Sequence, residues 1–370
     1  MIEQCLGGRT GHTEIGQPGT ESLGDHPAVV VGRPPGGTVE NRRDARACSE
    51  GAAKDGQLTE VGHPDIMINN RCRTPPDIPC HDGRMRFSIN IPNFGDFADA
   101  HVVQRVAVAA EQAGWDGLFV WDHVVHDKRR RQGQPFGDPW MLLTAAALAT
   151  TKIKLGPLLT PVARRRPEQL ARQVATLDAI SDGRVIFGAG LGAPIDDEYG
   201  SFGDSTDGKV LAERLDEGLQ LLARYWSGER VDHDGPHYRV DDVTLLPATV
   251  QQPRPPVWIG GYWPNRPPMR RAARWDGVVP LFASARHGEI PSLEEIRAMI
   301  TYVRRQRGDA PGPYDIVIGG ATNPATATGI ITPLAEAGVT WWDERMVQAE
   351  AGFDRLAPVL HRIELGPPVL

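Results

Sequence analysis

The sequence predicts an α/β protein: a (β/α)8 barrel with an insertion between its fourth and fifth strands, preceded by a disordered N-terminal extension. Three observations predict it. Every Trp, Tyr and Phe lies beyond residue 85, so the first 84 residues lack the groups from which a core is normally built. After that point, short β-rich apolar runs alternate with longer amphipathic stretches. That alternation occurs eight times, which implies a parallel sheet closed into a barrel, with a doubly wound open sheet as the rival arrangement.

The elements follow in order. Strands are expected at 86–91 (RFSINI), 117–122 (GLFVWD), 153–159 (IKLGPLL), 184–189 (RVIFGA), 257–260 (VWIG), 277–282 (GVVPLF), 315–319 (DIVIG) and 339–343 (VTWWD). Helices are expected at 99–113 capped by Asp99, 138–150, 167–180 opened by Pro167, 208–226, 265–275, 292–307 opened by Ser292, 323–337 opened by Asn323, and 350–363. Gly114 and Gly338 stand just past helix ends, where a left-handed residue is common. Residues 190–256 exceed one crossover and hold a helix and a hairpin turning at Asp234-Gly235, an excursion expected to wall or cover the active site.

Residues 1–84 are rich in Gly, Pro, Asp and Arg and show no sustained periodicity; a clean strand opens at Met85, where the functional protein is expected to start. The leader has neither the apolar core of a secretory signal nor the acid-poor balance of a transit peptide. All four cysteines (Cys5, Cys48, Cys72, Cys80) fall within it at spacings that match no zinc pattern, so no metal is expected. The rest of the chain has no cysteine and therefore no disulfide framework. No run approaches the roughly 18–20 apolar residues of a membrane span, and a soluble, cytoplasmic protein without a membrane partner is expected. A formal net charge of −7 argues against a general nucleic-acid binder.

In such a barrel the C-terminal strand ends face the site. That rule selects Asn93, Asp122-His123, Pro157-Leu158, Gly190-Leu191-Gly192, Gly260-Gly261 and Asp343. Asp122-His123 puts an acid and an imidazole together after a buried run, where a pocket His moves a proton while a carboxylate fixes its tautomer or binds a cofactor donor. A hydrogen-bonded structural His capping the barrel is the other reading. His126 and Asp127 lie near enough in sequence to join a metal cluster, yet further ligands are not evident.

Gly260-Gly261 lets the backbone approach a ligand, and a helix starting near Asn265-Arg266 would aim amide N–H groups at the same place. That is a phosphate site, or else an ordinary βα turn with surface arginines. Gly156-Pro157 breaks the ladder of an apolar strand, to seat a flat ring or to turn a barrel corner. Lys128 to Arg131 is read as a solvated loop, whereas Arg164-Arg165-Arg166 stands at a helix N-terminus, where anions are welcome. The run GAGLG at 188–192 lacks the context of a dinucleotide fingerprint.

Four motifs in order, AAEQAGWDGLFVWDH, LGPLLTPVARRRPEQLARQVATLDAISDGRVIFGAGLG at 155–192, ERLDEGLQLLARYWSGE at 213–229 and VWIGGYWPNRPPMRRAARWDG at 257–277, carry a resemblance. The chain resembles the bacterial luciferase-like monooxygenase superfamily over 85–370, and within it the coenzyme F420-dependent and related flavin-dependent oxidoreductases. The resemblance implies a flavin-type ring, coenzyme F420 ahead of FMN, in the C-terminal mouth of the barrel. Asp122 and His123 match the family's Asp-His pair, the acid contacting cofactor and the His lying near the reactive ring. Gly260 and Gly261 match the turn that holds the cofactor phosphate, with Asn265 and Arg266 beyond it. Gly156, Pro157 and Leu158 fall at a bulge with a non-proline cis peptide behind the ring, and Gly190, Leu191 and Gly192 complete the wall.

The sugar-phosphate dehydrogenase branch has a proton-donating Glu where this chain has Ala193, which removes the basis for expecting glucose-6-phosphate oxidation. The luciferase subunit's reactive cysteine is also missing. The implied activity is hydride transfer to or from a small organic substrate, with His123 moving the proton. The alternatives are an FMN and oxygen monooxygenase fed by a separate flavin reductase, and a non-catalytic flavin-binding barrel. A homodimer is a family expectation.

Overall fold

The computed structural model describes residues 84–286, 288–346 and 352–369. The extension expected over residues 1–84 lies outside the described residues, apart from Arg84. Eleven strands occur among the described residues: β1 (Arg86–Ile91), β2 (Gly117–Val120), β3 (Lys154–Pro157), β4 (Thr160–Pro161), β5 (Phe187–Gly190), β6 (Arg230–Asp234), β7 (Arg239–Thr244), β8 (Val257–Trp263), β9 (Gly277–Phe282), β10 (Asp315–Gly320) and β11 (Trp341–Arg345). The α-helices are α1 (Ala100–Gln112), α2 (Pro139–Ala149), α3 (Pro167–Ile180), α4 (Ile195–Glu198), α5 (Gly208–Ser227), α6 (Arg266–Ala272), α7 (Leu293–Arg307), α8 (Ala327–Ala337) and α9 (Leu356–Glu364).

All eight expected strands are present, and their neighbours follow chain order in a parallel sheet, β3-β2-β1-β11-β10-β9-β8-β5-β4. The third strand supplies both ends of that order. Its first half, β3, pairs with β2, while its second half, β4, pairs with β5, and a bridge from Leu155 to Val185 joins the same two strands lower down. The sheet is therefore a closed barrel, which leaves no edge for another chain to extend.

Local chemistry explains the helix starts. Asp99, Asp138 and Asp207 each accept a hydrogen bond from the backbone N–H two residues on, and Ser292 accepts one from Glu295 N–H at 3.2 Å. Asn323 instead closes a turn, accepting from Thr326 N–H at 3.1 Å, so α8 begins four residues later than the sequence suggests.

Side chains alternate across each strand, and the inner set fills the barrel below its mouth. Phe119, Trp258 and Trp341 meet at ring distances of 5.3, 6.0 and 5.2 Å, with Leu158, Ile186, Val279 and Val317 around them. The two indole N–H groups donate to the Asp315 carboxylate at 3.2 and 3.1 Å, so neither is left unsatisfied.

The long excursion divides: residues 190–195 stay at the strand ends as the expected wall, while the remainder does not form a lid. Helix α5 buries Leu211, Leu215, Leu219, Leu222 and Trp226, and the Trp226 indole donates to Ala171 O of α3 at 3.3 Å. An amphipathic helix of that length finds its apolar partner on the outside of the barrel, so α5 occupies the layer of the fourth barrel helix. The hairpin β6-β7 is tied to it, with Glu217 accepting from His237 and Tyr238 N–H, both at 3.0 Å, and bonded to His233 Nε2 at 2.8 Å. No residue of 208–256 lines the mouth of the barrel.

Candidate active site

A cavity of about 450 Å3 opens at the C-terminal ends of the strands, within the range of small-ligand sites. The eight strands contribute Asn90, Trp121, Leu158, Gly190, Gly260, Val279, Gly319 and Arg345 at or just past their ends, and loop 282–291 adds Phe282, Arg286 and Glu289. Of the residues selected from sequence, Asp122, His123, Leu158, Gly190, Leu191, Gly192, Gly260, Gly261 and Asn265 line it.

Asn93, Gly156, Pro157, Arg266 and Asp343 do not. Gly156 lies within β3, where a Cβ would stand 1.8 Å from Ile186 O, so the glycine serves the close approach of neighbouring strands. Pro157 O is packed in the same way against Gly188. The Arg266 guanidinium lies over the rings of Trp263 and Tyr302, at 4.2 and 4.3 Å. The non-proline cis peptide stands at Leu158–Leu159, one residue beyond the expected place, and Leu159 lines the cavity.

His123 is fixed from three sides. Asn93 accepts from His123 N–H at 3.2 Å and donates to His123 O at 2.7 Å and Gly137 O at 2.8 Å. The ring Nδ1 lies 2.8 Å from Glu198 Oε1. Burial pushes the His123 imidazole down to about 4, with Asp122 opposing and Arg164 and Arg131 adding to the effect. The ring is thus neutral near pH 7. Glu198 accepts only, so the proton sits on Nδ1 and leaves Nε2 as an acceptor.

Glu198 was not selected from sequence, because α4 is a single turn inside the excursion and nothing local marks its carboxylate. Arg164 bridges it to Asp122, pairing with both carboxylates. Arg165 donates to both Asp122 oxygens, at 2.8 and 2.9 Å, and Thr160 Oγ1 donates to Oδ2 at 2.9 Å. The Asp122 carboxylate is therefore occupied by protein donors, in contrast to the cofactor contact that the resemblance implies. Arg164 and Arg165 are likewise spent on carboxylates rather than open to a free anion, and Arg166 pairs with Glu168 at 3.0 Å.

The expected phosphate turn is also altered. A Cβ on Gly260 would stand 1.9 Å from Leu159 Cδ1, and one on Gly261 2.3 Å from Pro268 Cβ, so both glycines are required by packing. Helix α6 opens Arg266-Pro267-Pro268, and the two prolines carry no N–H, which removes two of the donors a helix start normally offers. Arg286 at the rim is an exposed cation close to this mouth.

The His126 ring lies 4.5 Å from that of His123 and is also held down to about 4, by burial first and His123 next. Among the described residues no three His, Cys, Asp or Glu side chains are arranged to hold a metal ion. Both histidines lie below their ordinary value of 6.5, so the unfolded chain binds protons that the folded one refuses. Their contribution is present above about pH 6.5 and is lost as pH falls toward 4, at up to about 3 kcal/mol each. The urea midpoint is expected to drop between pH 7.5 and 5, and a midpoint constant over that interval would contradict it.

The model of the luciferase-like monooxygenase family matches residues 85–326. The F420-dependent glucose-6-phosphate dehydrogenase of Nakamurella multipartita is 31% identical over 223 residues, 60% of this chain and 59% of that one. Its counterpart from Beutenbergia cavernae is 37% identical over 139 residues, 37% of this chain and 40% of that one. The chain thus spans about half the length of the curated relatives it matches. The oxygenating constituent of 3,6-diketocamphane monooxygenase from Pseudomonas putida, solved with FMN, shares the fold: TM-score 0.61 at 17% identity, covering 76% of this chain and 96% of that one.

Proposed function

Because the chain belongs to the luciferase-like monooxygenase family, we propose that it is a coenzyme F420-dependent oxidoreductase that moves a hydride between the deazaflavin and a small organic alcohol or ketone. The observation that carries the reading is the neutral His123 ring, proton fixed on Nδ1 by Glu198, at the wall of an apolar cavity large enough for a tricyclic ring. Leu158, Leu159 and Phe282 offer flat apolar walls, and Gly190, Gly192 and Gly260 offer bare backbone, a lining that fits such a ring. The F420-dependent relatives favour the deazaflavin over FMN.

When bound, the deazaflavin supplies a two-electron hydride acceptor or donor. His123 Nε2 accepts the proton of a substrate hydroxyl, Glu198 stabilises the imidazolium so formed, and Arg164 and Asp122 hold Glu198 in place. A ring that is neutral at pH 7 can accept the hydroxyl proton in alcohol oxidation without first losing one of its own. Phe282, Ala285, Pro291, Ala193 and Ile195 give the mouth apolar lining that would limit water around a bound ring. The residues assigned to the cofactor are Leu158, Leu159, Gly190, Leu191, Gly192, Gly260, Gly261 and Asn265. Titration of the protein with coenzyme F420 and with FMN, followed by absorbance and fluorescence, tests this: the deazaflavin should bind and FMN bind less tightly. Preference for FMN would move the reading to the oxygen-dependent alternative, and binding of neither would end it.

The working form is proposed to be a cytoplasmic homodimer. Among the described residues no helix is long and apolar enough to cross a membrane. Helix α2 (PWMLLTAAALA) has no charged residue, yet leaves Met141 60% and Leu148 72% exposed, seven residues apart on one face. Leu148→Glu is expected to halve the mass seen by light scattering, with the cofactor titration unchanged; a wild-type mass would exclude this face.

A further inference from the structure

Arg345 ends β11 and is 6% exposed, yet it lines the cavity. Its Nε donates to Asp343 Oδ2 at 2.7 Å. Asp343 is saturated in turn, accepting from Ser88 Oγ at 2.8 Å and Asn90 Nδ2 at 2.9 Å. The two terminal nitrogens of Arg345 have no protein partner among the described residues. A guanidinium buried to this degree normally spends its N–H groups on acceptors, and these two nitrogens instead stay open to the cavity that Arg345 lines. The seat is built for it: a Cβ on Gly319 would stand 2.3 Å from Arg345 Nε, and only glycine there leaves the side chain its room. The other cavity arginines differ, because Arg271 pairs with Asp216 at 2.8 Å and Arg286 is exposed at the rim.

We propose that Arg345 is the substrate-anion clamp, and that the substrate is a small alcohol or ketone carrying a carboxylate. Two parallel N–H donors match the two oxygens of a carboxylate, which a point cation does not. Position favours substrate over cofactor. Around the closed sheet β11 lies opposite β5, so Arg345 faces the wall of Leu158, Leu159, Gly190 and Gly260 that is assigned to the ring. The base stands between the two, because β2, which His123 follows, is two strands from β11 and two from β5. Asn90, paired in register with Arg345, accepts from the Trp121 indole, and the Trp121 ring is 5.6 Å from that of His123. A carboxylate on Arg345 thus leaves the rest of a small molecule between His123 and the ring wall.

This inference rests on the proposed oxidoreductase reading, and its test is separable from it. The full chain without cofactor is titrated with 2-hydroxybutyrate and with 2-hydroxybutyramide, followed by tryptophan fluorescence. The wild type should bind the carboxylate about tenfold or more tightly than the amide. Arg345→Met should abolish that preference. Arg345→Lys keeps a charge beside Asp343 and serves as the variant that folds; it should lose most of the preference, and both should bind coenzyme F420 as the wild type does. Equal binding of acid and amide by the wild type, or a preference intact in Arg345→Lys and Arg345→Met, would overturn the proposal. So would a loss confined to the coenzyme F420 titration, which would assign Arg345 to the ring. Failure of coenzyme F420 to bind the wild type would sink the oxidoreductase reading while the acid-amide comparison stayed readable.

Discussion

His123→Ala is expected to lower kcat by roughly 10²–10⁴-fold while coenzyme F420 still binds, because the variant removes the proton acceptor and leaves the cavity walls intact. The size follows from the geometry. His123 is held by Asn93 and Glu198, and its Nε2 is the one ring atom left for substrate. The pH dependence is a second signature. A base held down to about 4 stays active through the neutral range, so kcat/KM for alcohol oxidation should be flat from pH 6 to 8 and fall only toward about 4. Glu198→Gln should lower kcat by a smaller factor, since the amide still accepts from Nδ1 but no longer offsets the imidazolium charge. Undiminished turnover by His123→Ala on a substrate found for the wild type would reduce His123 to a structural residue.

Arg164→Met is expected to cost about 3–5 kcal/mol of stability, the range for removing one partner of a buried ion pair. Arg164 is the cation shared by Glu198 and Asp122, and neither carboxylate has appreciable exposure. Arg165 and Thr160 would still serve Asp122, so the loss falls on Glu198. With its counter-charge gone, Glu198 would draw a proton to itself or to His123, and the acid limb of kcat/KM should move up in pH. Adding Glu198→Gln should return part of the lost stability, because it removes the stranded charge. Urea unfolding at pH 7.5 measures both, and a wild-type midpoint in Arg164→Met would show that the network is not what holds this end of the barrel.

These effects depend on two different scales of information. Period-two apolar runs, period-3.6 runs and cap residues such as Asp99 and Ser292 are local, and they placed eight strands and the barrel within a few residues. Punctuation failed where a turn mimicked a cap, as at Asn323, and where one strand was broken in two around Leu158–Leu159. Pro267 and Pro268 after Arg266 carry no N–H, a signal in the sequence that the expectation of a donor-rich helix start passed over.

The candidate site divides in the same way. Strand-end position alone marked Asp122-His123, and alternation from Trp341 through Asp343 would have carried the inner face on to Arg345. Glu198, 75 residues from His123, and Arg164, 42 from Asp122, had no local mark, and Arg164 was one arginine in a run of three. Hydrophobic period and capping act over a few residues, and they are enough to read the order of elements, the closed parallel sheet and the strand tip that bears the histidine. Which carboxylate fixes that histidine, that Asp122 serves arginines, that α5 and its hairpin pack outside the barrel, and that Arg345 keeps open donors were settled by the folded chain alone. Those depend on closure, which brings side chains from separate strands within hydrogen-bonding distance.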